Sequence, residues 1–110
     1  AMADVGMEIC VLPSAFTSLT GKAHWEPLLR ARAIENLCYV IAADQGGYHI
    51  NGRETHGDSM IIDPWGVILN RLPQGTGVVV SKLDLDKLIK TRKSFPALQH
   101  KRFDSRISYT

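Results

Sequence analysis

Two short apolar runs with a helical pattern between them set the main constraint on this chain. Residues 7–12 (MEICVL), which end at Pro13, and residues 38–43 (CYVIAA) are continuous and β-rich, so each predicts a buried strand. Residues 14–22 carry Ser, Thr and Gly and predict a loop, whereas residues 23–37 repeat apolar side chains at near-helical spacing. Strand, helix and strand in this order predict an α/β fold.

A glycine-rich loop over residues 44–55 leads into a predicted hairpin. Residues 58–63 and 67–71 form its arms, and the turn between them reads DPWG, which is typical of a type I turn. A side chain as large as Trp65 usually packs on something even at a hairpin tip, so we expect it to be largely covered. Gly66 is expected to have a positive φ, as in the common bulged hairpin.

The last part of the sequence predicts one more strand and one more helix. Residues 77–85 (GVVVSKLDL) have the composition of a strand. Asp84 or Asp86 can cap a helix that runs to about Phe95, since a proline follows. Residues 97–110 form a basic, polar tail.

The predicted strands are apolar enough to be covered on both faces, yet the sequence predicts only two helices. We therefore expect one face of the sheet to be uncovered and to be completed by another chain or by another part of the protein. The residues expected on that face are Ile9, Val11, Val40, Ile41, Val78 and Val80.

Composition excludes several classes of protein. A length of 110 residues with 45% apolar and 22% charged side chains fits one ordinary globular domain. The net charge of +2 gives no reason to expect a nucleic-acid partner, and no apolar run approaches the roughly 18 residues of a membrane span. Two cysteines are too few for a disulfide scaffold, and no leader pattern opens the sequence, so the expected location is cytoplasmic.

The residue pattern by itself gives no complete catalytic set. Cys38 lies within an apolar run, and Cys10 lies near the end of another, positions typical of buried and unreactive thiols. Strand ends are also where α/β proteins bind ligands, so a role for either thiol stays open at this point. The four histidines have no i,i+4 pair and no Cys-x-x-Cys beside them, so no metal site is predicted.

Several motifs in order along the chain resemble one known family, the nitrilase superfamily of carbon-nitrogen hydrolases. The match covers about residues 5–103, and the AHWE and QHKR segments most resemble its deaminated-glutathione amidase branch. Asp58 stands where a His is common in relatives. The matching segments are residues 12–47 (LPSAFTSLTGKAHWEPLLRARAIENLCYVIAADQGG), 56–60 (HGDSM), 63–66 (DPWG), 92–96 (RKSFP) and 99–102 (QHKR).

The resemblance implies a fold and a chemistry. The family fold is a four-layer α-β-β-α sandwich, of which residues 1–110 would be the C-terminal portion, with the N-terminal half missing. Its chemistry uses a Cys nucleophile, a Glu general base and a Lys that stabilises the tetrahedral oxyanion, without a cofactor or metal. All three residues precede the matched region in the family. Neither Cys10 nor Cys38 has the family's Arg-Phe-Pro-Glu continuation, so no catalytic residue is assigned.

The resemblance also assigns secondary roles to residues of this chain. Arg32 and Glu35 are thereby interpreted as interface or buried ion-pair residues rather than as a solvated helix face. The substrate-pocket residues it implies are Phe16, Thr17 and His24. The dimer-interface residues it implies are Trp25, Leu29, Arg32 and Glu35.

Three functions follow from these observations. The leading hypothesis is that the chain is a fragment of a carbon-nitrogen hydrolase, an enzyme that converts a small amide to a carboxylate and ammonia. In this hypothesis the chain alone is inactive, and only a full-length relative binds the substrate. The alternative is a non-catalytic module that self-associates, and a homo-oligomer is expected in either case. The weakest hypothesis is an enzyme that uses Cys10 or Cys38 by a different route.

Overall fold

A four-stranded mixed sheet is the centre of the structure, a computed structural model that describes residues 1–103. The strands in this part of the chain are β1 (Ile9–Ser14), β2 (Tyr39–Asp44), β3 (Gly46–Tyr48), β4 (Glu54–His56), β5 (Ser59–Ile62) and β6 (Ile68–Leu72). The spatial order is β1-β2-β5-β6, with β1 and β2 parallel and the other pairs antiparallel. Strands β3 and β4 form a small second sheet within the segment predicted as a loop. The predicted α/β class is confirmed.

The helical segment between β1 and β2 is longer than its sequence pattern predicts. Its parts are α1 (Ser18–Thr20), a π-helical stretch (Gly21–Trp25) and α2 (Glu26–Asn36). The Thr17 hydroxyl caps the start by accepting a hydrogen bond from the Thr20 N–H. Because of this cap, the second half of the loop expected over residues 14–22 is helical instead.

Strand β1 passes through Pro13 instead of stopping there. The carbonyls of Glu8 and Ser14 accept hydrogen bonds from the N–H groups of Tyr39, at the start of β2, and Gln45, directly after its end. Backbone groups of even-numbered residues therefore point toward β2. Pro13 therefore points to the outer edge of the sheet, where its missing N–H removes no bond between β1 and β2.

The predicted hairpin is confirmed, but its tip differs from expectation. Gly66 has φ of 87°, as expected, and its N–H donates to the Asp63 carbonyl (3.0 Å). Trp65 is 60% exposed, so the prediction that it is largely covered is wrong. The turn directs Asp63 inward and leaves Trp65 pointing outward, where its ring makes an edge-on contact with Phe95 at a centroid distance of 5.7 Å.

The strand predicted over residues 77–85 is not formed in the described part of the chain. Valines favour extended backbone, but a strand needs a neighbour for its backbone groups. The contact that ties this segment to β6 is instead a side-chain bond, from Asn70 Nδ2 to the Val80 carbonyl (2.9 Å). The following helix, α3 (Leu85–Ser94), is confirmed, with Asp84 as its N-cap.

Helix α3 is tied to the rest of the fold by Arg92. Its guanidinium donates to the carbonyls of Leu37 (3.0 Å) and Met7 (2.7 Å), and so joins α3 to the end of α2 and the approach to β1. A 3₁₀ turn (Ala97–His100) follows, and residues 104–110 of the predicted basic tail lie outside the described residues. None of the described helices is long and apolar enough to span a membrane.

Helix α2 covers one face of the sheet and completes the core. The buried core residues are Cys10, Trp25, Leu29, Ala33, Cys38, Val40, Ala42, Met60 and Ile62. Side chains alternate along β2, and Val40 shares a face with Ala42 under the helix. The expectation that Val40 lies on the uncovered face is therefore wrong.

The other face of the sheet is covered only in part. Tyr39 and Ile61 are buried there, but at the β1 side Val11 is 66% exposed and Ile9 is 39% exposed. An uncovered apolar face is thus confirmed near β1, and we call it the open face. Its residues are Ile9, Val11, Pro13, Ile41 and Ala43. Of the other residues expected to be uncovered, Val78 and Val80 are exposed.

Candidate functional site

Polar and aromatic side chains gather where β1 and β2 end. Because the two strands are parallel, Ser14 and Asp44 are register partners at the same edge of the sheet, where α/β proteins commonly place ligands. An apolar groove of about 200 Å³ is lined by Leu12, Pro13, Ser14, Phe16, Trp25, Leu28, Leu29 and Arg32. A polar cleft of about 540 Å³ lies beside it, lined in part by Lys22, Tyr48, His56 and Asp58.

Phe16 and Trp25 pack together at the inner end of the apolar groove. Their ring centroids are 5.0 Å apart, and the Phe16 N–H donates to Asp44 Oδ1 (2.9 Å). The indole N–H of the buried Trp25 donates to the Asp58 carbonyl (2.7 Å). The loop after β1 is therefore held by the end of β2, and the helix behind it is held by the start of the hairpin.

The structure brings together two of the three predicted pocket residues. Thr17 follows Phe16 directly, and it forms an antiparallel bridge with Thr55 beside the polar cleft. His24 is exposed and lines neither the groove nor the cleft. The substrate-pocket roles of Phe16, Thr17 and His24 stay a prediction.

Asp44 is a buried carboxylate that the sequence analysis did not single out. Only 9% of it is exposed, and its Oδ2 has no hydrogen-bond partner among the described residues. Burial raises its pKa above the ordinary value, although the Phe16 N–H and the nearby His56 oppose that effect. The sequence feature that could have identified Asp44 is its position at the end of an apolar run, because a polar residue at the end of a strand lies at the edge of the sheet where ligands bind.

Asp58 forms the centre of an ion cluster that joins the hairpin to the helical segment. Arg71 donates to Asp58 through Nε (3.0 Å to Oδ1) and through a terminal nitrogen to Oδ2. Glu26 lies 3.6 Å from the same guanidinium. This bidentate geometry gives Asp58 a structural role in this chain.

The four predicted interface residues fall into two groups. Trp25 and Leu29 are 2% and 4% exposed, so this chain uses them in its own core. Arg32 and Glu35 form an ion pair of 2.8 Å in which both side chains are more than half exposed, so the interpretation as a buried pair is wrong for this chain. Their contact with a partner subunit stays a prediction.

Neither cysteine has the environment of a nucleophile. Cys10 is 6% exposed and Cys38 is fully buried, and burial together with the neighbouring Cys10 raises the pKa of Cys38 to about 11. Little thiolate of Cys38 exists at neutral pH, and Cys10 is buried away from any substrate, so neither observation favours an enzyme that uses one of these thiols. Among residues 1–103, no three His, Cys, Asp or Glu side chains lie together in a way that could hold a metal ion.

Residues 1–93 match the sequence profile of the carbon-nitrogen hydrolases. The chain belongs to the carbon-nitrogen hydrolase family. The family resemblance inferred from the motifs is thus confirmed, and the strand-end loops, the helical segment and the hairpin described above all lie within the matched residues.

Known carbon-nitrogen hydrolases match the chain in sequence and in structure. Human deaminated glutathione amidase is 50% identical over 104 residues, which cover 94% of this chain and 32% of that protein. The Caenorhabditis elegans NitFhit protein superposes with a TM-score of 0.87 at 43% identity, over 91% of this chain and 24% of that one. A mutant amidase from Nesterenkonia sp. AN1, with acrylamide added at its active-site cysteine, superposes with a TM-score of 0.64 at 26% identity. The superposition covers 88% of this chain and 37% of that one. The chain spans about a third of the length of the curated relatives it matches.

Proposed function

We propose that this chain is the C-terminal portion of a carbon-nitrogen hydrolase that cleaves the C–N bond of a small amide to give a carboxylate and ammonia. The observation that carries the proposal is the 50% identity to human deaminated glutathione amidase over 94% of the chain. The 104 aligned residues leave out only a few positions of the chain, so they include the strand-end loop and the start of the hairpin, where the described polar and aromatic side chains gather.

In this proposal the chain supplies walls and support, and the catalytic set lies outside it. The Nesterenkonia amidase has an active-site cysteine, whereas both cysteines of this chain are buried among apolar side chains. Phe16, Thr17 and His24 would line the substrate pocket. The four-stranded sheet with α2 on one face would form two layers of a four-layer α-β-β-α sandwich, whose other layers would cover the open face.

The purified chain is expected to release no ammonia from deaminated glutathione or from simple ω-amides, because loss of a nucleophile removes most of the rate. Ammonia release measured with a coupled assay tests this. Turnover that disappears in a Cys10→Ala or Cys38→Ala variant would overturn the proposal. A chimera of the human amidase that carries this chain in place of its own matching third is expected to stay active, and a folded but inactive chimera would count against the assignment.

The second candidate function is a non-catalytic module that self-associates. The open face favours it, since Val11 is 66% exposed and lies beside other apolar side chains on a sheet whose β1 edge has no partner strand among residues 1–103. Analytical ultracentrifugation is expected to give a mass of at least twice the 12.2 kDa of one chain. A concentration-independent mass of one chain, with a cooperative melt, would contradict this function.

A further inference from the structure

The backbone of Phe16 is held on both sides, and Asp44 supplies one of the two bonds. The Phe16 N–H donates to Asp44 Oδ1 (2.9 Å), and the Phe16 carbonyl accepts from the His56 N–H of β4 (2.8 Å). The next residue, Thr17, forms the bridge with Thr55. Both bonds join residues within this chain, and a portion that precedes residue 1 could only bury Asp44 further.

The charge of Asp44 is unfavourable for folding, although its hydrogen bond to Phe16 is well formed. Burial outweighs that bond and raises the pKa of Asp44 above the ordinary 3.8. A raised carboxyl pKa in the folded state means that stability falls as the pH rises and the group ionises. A destabilising charge at the end of a strand, where α/β folds bind ligands, indicates a role in the site rather than in stability.

We propose that Asp44 is a positioning residue for the amide hydrolysis assigned to the whole protein, and that its ionised carboxylate fixes the Phe16–Thr17 segment of the substrate pocket. The inference rests on the proposed function and deepens it, because substrate affinity then depends on a carboxylate outside the catalytic set. Ionised Asp44 accepts a charge-assisted bond from the Phe16 N–H, whereas protonated Asp44 is the weaker acceptor. The segment would therefore loosen when Asp44 binds a proton.

The Phe16 N–H is the contact that most favours the charge of Asp44. His56 of β4 is the titratable side chain that acts most on Asp44, and its effect is smaller than that of the Phe16 bond. The bond and the charge are therefore mutually dependent. The neighbours on the other packed elements are uncharged: Ser14 of β1, Ser59 of β5, whose Oγ accepts from the Asp44 N–H, and Trp25 of the helical segment, which packs on Phe16.

Backbone NMR of the purified chain tests this coupling without an assay of activity. The amide proton of Phe16 is expected to change its chemical shift at a midpoint above pH 3.8, together with the side-chain carboxyl carbon of Asp44. In Asp44→Asn the Phe16 amide keeps an acceptor, but its titration is expected to be lost. A Phe16 amide that does not respond to Asp44, or that titrates equally in Asp44→Asn, would overturn the inference.

Kinetics of the human amidase chimera test the effect on the pocket. In Asp44→Ala the Phe16 N–H loses its acceptor, and KM is expected to rise about tenfold with kcat nearly unchanged, which is the effect of one lost hydrogen bond on binding alone. Asp44→Asn keeps a neutral acceptor and is expected to recover most of that loss. The KM of the parent chimera is expected to rise toward low pH relative to that of Asp44→Asn.

Ile62→Val is the matched control for a general loss of stability. Ile62 is fully buried in the core, so the substitution weakens the fold without removing a contact of Phe16. Its KM is expected to equal that of the parent chimera. If Asp44→Ala does not fold, the comparison of the parent with Asp44→Asn across the pH range decides the same question.

The results separate the inference from the function beneath it. An inactive chimera overturns the proposed function, and the NMR titration alone then supports or overturns the coupling of Asp44 to Phe16. An active chimera whose KM is unchanged in Asp44→Ala, or is raised as much by Ile62→Val, overturns the positioning role and leaves the function standing. A Phe16 titration together with a KM that rises in Asp44→Ala and recovers in Asp44→Asn supports the inference.

Discussion

Replacing Asp63 with asparagine is expected to lower the free energy of unfolding by roughly 2–4 kcal/mol. Asp63 is 1% exposed, and its Oδ1 accepts hydrogen bonds from the N–H groups of Trp65 (2.8 Å) and Val67 (2.9 Å). Its Oδ2 accepts from Lys87 Nζ (2.9 Å), which joins the hairpin turn to α3. Asparagine can replace only one of these acceptor oxygens, because its NH₂ group would face the Lys87 ammonium.

The matched control is Asp86→Asn, which removes an exposed carboxylate from the first turn of α3. It is expected to change stability by less than about 1 kcal/mol. Urea unfolding monitored by circular dichroism measures both variants. Equal effects of the two substitutions would show that the buried network at Asp63 does not stabilise the turn.

The same network predicts a pH dependence. Burial alone would raise the pKa of Asp63, but the hydrogen bonds from Lys87 and from two backbone N–H groups outweigh it and hold the pKa below the ordinary value of 3.8. A depressed pKa in the folded state means that this stabilisation is complete above the unfolded value and is lost as the pH falls below about 3.8. The wild-type chain is therefore expected to lose more stability than Asp63→Asn between pH 5 and pH 2.

Replacing Gly21 with alanine is expected to destabilise the chain by roughly 2–3 kcal/mol. The Gly21 backbone is helical (φ −61°, ψ −45°), so helix propensity alone would favour alanine by about 1 kcal/mol. A Cβ at Gly21 would, however, lie 2.1 Å from the Cβ of His56. The atom it meets is the rigid base of a side chain, so β4 or the helical segment must move.

A double-mutant cycle separates this overlap from other effects of the substitution. In a His56→Gly background, Gly21→Ala is expected to lose most of its penalty, since the overlapping atoms are gone. Gly75→Ala serves as the control, because a Cβ there meets nothing within 4 Å and only the φ of 86° opposes it. An unchanged penalty in the His56→Gly background would show that the contact with His56 is not its cause.

The elements with strong local signals were predictable from the sequence. Short apolar runs flanked by turn residues gave β1 and β2, and the DPWG turn gave the hairpin and the positive φ of Gly66. Asp84 and Asp86 were the two candidate N-caps of α3 and Pro96 marked its end, and the structure selects Asp84 as the cap. In the hairpin turn and in α3 the deciding interactions lie within a few residues along the chain, so the pattern of residue types is sufficient. For β1 and β2 the continuous apolar composition was the signal, although their pairing joins residues that are 30 positions apart, such as Ile9 and Tyr39.

The errors concern features that depend on distant neighbours. The valines of residues 77–85 favour a strand, but whether a strand forms depends on a partner for its backbone, which the sequence pattern does not show. Val40 and its neighbour Ile41 were both expected on the uncovered face, although successive side chains of a strand point to opposite faces, and the structure shows that α2 covers the face of Val40. Trp65 was expected to be covered because aromatic size says nothing about which way a turn directs its residues.

The features of the candidate site likewise divide into those that the sequence determined and those that only the structure showed. The sequence by itself determined the family, because motif order and spacing are properties of the chain, and it indicated that an apolar face would lack a cover. Only the tertiary structure showed that Asp44 holds the Phe16 loop, that Asp58 binds Arg71, and that Val11 is exposed on the open face. These contacts join residues that are from 13 to 28 positions apart or lie at a sheet boundary, so packing in three dimensions decides them.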